Sequence, residues 1–222
     1  TTFIKMMAGI EKLDKGKIST VARISYKPQY LSSNYNGTVK MLLDESSSGD
    51  YETGAIESTL ILPLGVQKLY EKEVSDLSGG ELQKVAVLTC LMRDVDVYAL
   101  DEPSAFIDIE DRIVLARAMN RFVKSQGKSA LIVDHDIQLV DIVSDSLLIF
   151  SGQSGINGTA SKPMNKEEGM NMFLQNLGVT YRRDIDTGRP RVNKSDSKLD
   201  RRQKDEKTYY YLTREPQQAQ QE

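Results

Sequence analysis

Between Leu77 and Pro103 the chain reads LSGGELQKVAVLTCLMRDVDVYALDEP, a helical pattern that runs into a short apolar strand. Ser78 is suited to cap a helix over Gly79–Arg93, with Leu82, Val85, Ala86, Leu88 and Thr89 supplying a continuous apolar surface. Two glycines at a helix start let backbone N–H groups approach an anion that the helix dipole also favours. Alone, Ser-Gly-Gly is equally a loop ahead of a serine-capped helix. Val97–Leu100 then predicts a buried strand that ends on Asp101 and Glu102, with Pro103 stopping it. One carboxylate there can hold a divalent cation while its neighbour orients or deprotonates a water. Paired acids at a strand end are also a common solvated turn, but a phosphate-type helix start upstream weakens that reading.

Outward from this stretch, Ala130–Val133 and Leu147–Phe150 are further apolar strand candidates. Asp111–Lys124 separates the first two strands as an amphipathic helix, with Ile113, Ala116, Ala118 and Phe122 on its apolar face. Asp136–Val143 separates the second and third. Strands alternating with helices predict an α/β fold with a mainly parallel sheet, which binds ligands at its strands' carboxyl ends. His135 stands at such an end, in Leu131-Ile-Val-Asp-His-Asp136, from which an imidazole can reach a terminal phosphate. Thr38 can cap a helix through Leu43, and a second helical stretch fills residues 52–62 before Pro63. A helical subdomain over about residues 31–96 is therefore expected within the sheet domain.

Of the 222 residues, 39% are apolar and 27% charged, and the net charge is −3, as in an ordinary soluble globular protein. The single cysteine, Cys90, excludes an internal disulfide or a cysteine zinc site, and leaves no iron–sulfur cluster in this chain. The single histidine excludes a multi-histidine metal centre. No apolar run approaches the ~20 residues that span a bilayer, and no basic-then-apolar leader opens the chain, so a reducing, cytoplasmic setting is expected. Residues 181–207 carry ten basic and six acidic side chains, leaving the rest acidic. The division expected from texture is a domain over 1–158, a C-terminal helix with a basic tail over 159–216, and a disordered end over 217–222. The turn-rich Ser151–Gly158 is the expected junction.

Taken together, Leu77–Glu81, the strand ending Asp101-Glu102-Pro103, His135 and the glutamine of Ser25-Tyr-Lys-Pro-Gln29 resemble the motif set of ATP-binding cassette ATPases. The resemblance implies a P-loop NTPase fold, with Gln29 as the Q-loop residue, Leu77, Ser78, Gly79, Gly80 and Glu81 as the signature, and Asp101 ending the Walker B strand. It makes Glu102 the catalytic carboxylate and His135 the switch histidine. Ser104 to Asp108 would form the D-loop. Thr1 and Thr2 would finish a phosphate loop whose glycine-rich part precedes them, and the start at Thr1 suggests a fragment, inactive on its own. ATP is the implied nucleotide, with Mg²⁺ held through Thr1, Gln29 and Asp101.

SYKPQ, DLSGGELQKVA, DEPSAFID and IVDHD more closely resemble the second cassette of the E subfamily, the ribosome-recycling or RNase L inhibitor family. So does the basic run from Tyr181 to Lys194. That resemblance implies a first cassette in the same protein, and the small ribosomal subunit with release and initiation factors as partners. It also implies ribosome splitting driven by ATP-dependent closure, and a cytoplasmic location with the nucleus as a second compartment. The family's iron–sulfur domain has no counterpart here, and no membrane is involved. Arg182, Arg183, Arg189 and Arg191 are the candidates for a hinge that also touches ribosomal RNA. The alternatives are a transporter's ATPase subunit and a non-catalytic ribosome-binding cassette.

Overall fold

The computed structural model describes residues 1–19, 22–29, 33–47, 53–153, 156–183 and 190–210. The chain divides into two compact units, Thr1–Val143 and Ser144–Glu222. The division thus falls ahead of the Ser/Gly-rich stretch, whereas the sequence suggested a boundary at 158.

The first unit is built on a parallel sheet of β1 (Ile24–Lys27), β2 (Val97–Asp101) and β3 (Ser129–Val133), in the order β1-β2-β3. Lys27 pairs in register with Leu100, and Asp101 with Val133, so the three strands end at one edge. Helix α1 (Thr2–Met7) starts beside the end of β2, with the Thr1 nitrogen 3.9 Å from Asp101 Oδ1. The polypeptide between β1 and β2 is largely helical, as expected. It holds α2 (Val39–Ser46, capped by Thr38), α3 (Thr53–Ile56), a π-helical turn over Glu57–Ile61, α4 (Leu62–Leu64) and α5 (Gly79–Leu91). Pro63 does not end this run but lies within α4, which continues directly from the π-helical turn. Helices α6 (Ile109–Ser125) and α7 (Ile137–Val143) follow β2 and β3.

The core of this unit runs continuously from α2 through the π-helical turn and α5 to β2 and α6. On α5 the buried residues are Gln83, Val85, Val87, Leu88, Cys90 and Leu91, while Leu82, Ala86 and Thr89 are only half-buried. The helix is covered on more than one side, so its buried face is wider than a single stripe. Cys90 faces β1, where its sulfur accepts a 3.3 Å hydrogen bond from Ser25 Oγ. On α6 the inner face is Leu115, Ala116, Ala118, Met119 and Phe122, with the Phe122 ring 6.2 Å from that of Tyr98. Ile113 is half-buried.

The second unit corrects one expected strand. Leu147–Phe150 does not join the parallel sheet: Ser146–Leu147 (β4) pairs antiparallel with Met164–Asn165 (β7), and Phe150–Gln153 (β5) with Asn157–Ala160 (β6). Short, exposed segments such as β5 and β6 make hairpins more readily than buried parallel strands. Of the expected junction Ser151–Gly158, residues 151–153 and 157–158 lie in this β5–β6 pair. Helix α8 (Lys166–Leu177), strands β8 (Tyr181–Arg183) and β9 (Pro190–Val192), and α9 (Lys198–Asp205) complete the unit. Its polar centre is the buried Asp200, which accepts from Thr180 Oγ1 at 2.6 Å and from Lys204 Nζ at 2.9 Å. Within the expected helix and basic tail over 159–216, residues 181–183 and 190–192 form paired strands and 198–205 a helix, while residues 184–189 and the end expected to be disordered lie outside the described residues.

Candidate functional site

The shared edge of β1, β2 and β3 gathers three of the expected residues. Gln29, just past β1, donates from Nε2 to Glu102 Oε1 at 2.8 Å. His135, just past β3, brings Nε2 within 3.0 Å of the same oxygen. One carboxylate oxygen is thus held between an amide and an imidazole. The imidazole is 87% exposed, so it is open to a ligand arriving from solvent.

Glu102 is fixed by its backbone. Its φ of 47° lies in the left-handed region, which costs a non-glycine residue about 1–3 kcal/mol unless its surroundings hold it there. They do: its N–H donates to Val133 O at 2.7 Å, and its carbonyl accepts from Gln83 Nε2 at 2.6 Å and Lys27 Nζ at 3.4 Å. Lys27 is 1% exposed and also donates to Asp101 O at 2.9 Å and Pro28 O at 3.0 Å. Burial pushes this ammonium down from its ordinary 10.5 to about 8, with the Asp101 charge pulling the other way. Asp101 is buried, and its Oδ1 has no hydrogen-bond partner.

A second set of contacts ties the turn after Glu102 to the turn before α7. Asp134 accepts from Ser104 N at 3.0 Å, Ser104 Oγ at 2.8 Å and Asp136 N at 2.8 Å. Asp136 is in turn held by Arg112 Nη1 at 3.0 Å. With Glu102 and His135 these residues line a cleft of about 280 Å³. Asp108 caps α6 by position but makes no side-chain cap hydrogen bond.

The start of α5 is built as a capping box. Ser78 Oγ accepts from Glu81 N at 3.3 Å, and Glu81 Oε2 accepts from Ser78 N at 2.9 Å. Lys72 Nζ lies 2.8 Å from Glu81 Oε1; that contact, with the Ser78 N–H, pulls the Glu81 carboxyl down to about 2. The box leaves the N–H groups of Gly79 and Gly80 at the open end of the helix. Both glycines lie against Phe106, which is exposed and has a φ of 61°. A Cβ on Gly80 would stand 2.8 Å from Phe106 O, so backbone approaches backbone there.

The expected site residues therefore fall into two groups. Thr1, Thr2, Gln29, Asp101, Glu102 and His135 are at or near the sheet edge, while Leu77–Glu81 with Phe106 form a separate corner. Lys27, Gln83, Arg112, Asp134 and Asp136 went unread as site residues. The Asp-His-Asp order gave a signal for the last two, but nothing in sequence marks a lysine or glutamine for burial. In the second unit Arg182 and Arg191 are opposite each other across the β8–β9 pair, and both are exposed. The Arg183 side chain and Arg189 lie outside the described residues.

A parallel sheet whose strand ends carry Gln29, Glu102 and His135, with a glycine-led helix beside the loop after β2, defines an ATP-binding cassette domain. The family profile described as ABC transporter matches residues 1–105. The chain is 46% identical over 214 residues to an uncharacterized ABC transporter ATP-binding protein of Methanocaldococcus jannaschii, covering 96% of this chain and 35% of that protein. It is 38% identical over 212 residues to translation initiation factor RLI1 of Saccharomyces cerevisiae, covering 96% and 35%. With ABC transporter E family member 3 of Arabidopsis thaliana it shares 36% identity over 143 residues, 61% of this chain and 78% of that one. A structure described as RNase-L Inhibitor superposes with a TM-score of 0.89 at 47% identity, over 95% of this chain and 41% of that one. A model of ribosome-bound archaeal Pelota and ABCE1 matches with a TM-score of 0.90 at 46% identity, over 95% and 36%.

The chain belongs to the E family of ATP-binding cassette proteins. It spans about a third of the length of the curated relatives that it matches nearly end to end. No described helix is long and apolar enough to cross a membrane.

Proposed function

We propose that this chain is the second cassette of a two-cassette ATPase that splits ribosomes into subunits after termination, with a linked role in initiation. The observation that carries the ATPase reading is the convergence of Gln29 and His135 on one oxygen of Glu102. In this reading Glu102 accepts a proton from, or orients, the water that attacks the terminal phosphate. His135 faces that phosphate from the exposed rim, and Gln29 holds the carboxylate until nucleotide arrives. Thr1 and Thr2 complete the phosphate loop. Ser78, Gly79 and Gly80, with Leu77 and Glu81 behind them, address the ATP bound by the first cassette, and Ser104 to Asp108 form the D-loop beside them.

The residues present fit Mg²⁺, because the buried Asp101 Oδ1 has no hydrogen-bond partner and an anionic oxygen suits a hard cation. Thr1, Gln29 and Asp101 are the residues that would hold it. When bound, it supplies charge neutralisation at the phosphate oxygens.

The ribosomal part of the reading is supported by the similarity to translation initiation factor RLI1 and to a ribosome-bound archaeal ABCE1. The small subunit and release or initiation factors are the proposed partners, and the cytoplasm the proposed location. The basic tail within residues 159–216 would serve as a hinge, with Arg182 and Arg191, opposite each other on β8 and β9, as its site for RNA phosphate. In the whole protein, Glu102→Gln is expected to slow phosphate release from ATP by about 10²–10⁴-fold and to accumulate protein on small subunits in sedimentation. Wild-type turnover with no accumulation would refute the assignment.

A further inference from the structure

Gln83 is fully buried on α5, the helix that begins with Ser78 and the two glycines. Its Nε2 donates to the carbonyl of Glu102 at 2.6 Å, while its own Oε1 has no hydrogen-bond partner. A buried amide whose carbonyl oxygen is left unmet is a poor choice for packing alone; a methionine of the same length would fill the space without that penalty. The residue it holds is the one whose left-handed φ needs outside support. Among the described contacts, Gln83 supplies the shortest hydrogen bond to the Glu102 backbone, and it is the one that comes from α5.

We infer that Gln83 is a positioning residue, which pins the backbone of Glu102 to the signature helix so that the carboxylate of one ATP site moves with the helix that serves the other. The inference rests on the roles given above to Glu102 and to Ser78–Gly80, and it adds the mechanical link between them. When the first cassette's nucleotide draws the start of α5 toward itself, the displacement passes five residues along a continuous helix to Gln83 and from there to the Glu102 carbonyl. The side-chain contacts of Glu102 with Gln29 and His135 come from the other two strand ends. A small shift of its backbone therefore changes the aim of the carboxylate without unmaking the turn.

The test uses the whole two-cassette protein with hydrolysis in the first cassette silenced. Gln83→Met keeps length and volume and removes the donor. It is expected to lower kcat by about ten- to a hundred-fold, with KM for ATP and the melting temperature unchanged. In a Glu102→Gln background, the same substitution is expected to change the residual rate less than two-fold, because residues acting as a unit are non-additive. A protein with Gln83→Met that keeps wild-type kcat, or loses the same factor in both backgrounds, would overturn the inference while leaving the role of Glu102 intact. Wild-type turnover in Glu102→Gln alone would instead overturn the underlying reading, and this inference with it.

Discussion

Three glycines in helices, each changed to alanine, separate the effect of backbone freedom from that of backbone approach. Gly54 lies in α3 with nothing within 4 Å of the place a Cβ would take, so Gly54→Ala removes unfolded-state entropy at no steric cost. It should raise stability by about 0.5–1 kcal/mol. At Gly79 the added Cβ meets the Phe106 side chain at 3.5 Å, an ordinary contact, so the change should be neutral or slightly stabilising. At Gly80 the nearest atom is Phe106 O at 2.8 Å, and it belongs to the backbone. Relief requires the loop to retreat by about half an ångström, and Phe106 already sits at a φ of 61° between Glu102 and α6. Overpacking of this kind costs about 1–3 kcal/mol, which exceeds the helix-propensity gain of about 1 kcal/mol. Gly80→Ala should therefore be destabilising by about 1 kcal/mol where Gly54→Ala is stabilising. Urea unfolding of each variant, followed by circular dichroism and fitted with a common slope, gives the comparison. A Gly80→Ala protein as stable as Gly54→Ala would refute the claim that the helix start and the loop after β2 are in backbone contact.

Phe122→Ala removes a ring that is 1% exposed and packed on Tyr98, and should cost about 3–5 kcal/mol in the same unfolding assay. In the second unit, hydrogen bonds from Thr180 and then Lys204 pull the Asp200 carboxyl from its ordinary 3.8 to about 2. A lowered carboxylate value means that its stabilisation is full above about pH 4 and is lost as the pH falls toward 2. Asp200→Asn should therefore flatten the acid limb of the stability curve between those values, measured by thermal unfolding at a series of pH values.

The parallel architecture was legible because β2 and β3 are apolar runs and α6 carries a clear amphipathic repeat. Strand β1 was not, because its inward positions are Ser25 and Lys27. Both are polar, so no hydrophobic pattern marks Ile24–Lys27 as a strand, yet Lys27 is the ammonium that gathers the carbonyls at the site. Leu147–Phe150 misled in the opposite sense: four apolar residues looked like a core strand, but Phe150 is 54% exposed and opens a hairpin. At the site, Gln29, Glu102 and His135 were legible from their motifs, and the structure places all three together. The supports were not, since a hydrogen bond from Gln83 or Asp134 to a backbone group depends on a long-range approach that no local spacing encodes.

The burial of Cys90 against Ser25 has a practical consequence. Burial pushes this thiol up to about 11, so near neutral pH almost none of it is thiolate and folded protein should be silent toward thiol reagents. It becomes reactive only when α5 lifts off β1. With no other cysteine in the sequence, the labelling rate is an intrinsic clock for that opening, read without any added probe. In this chain by itself, the clock would time how often the glycine-led helix parts from the sheet.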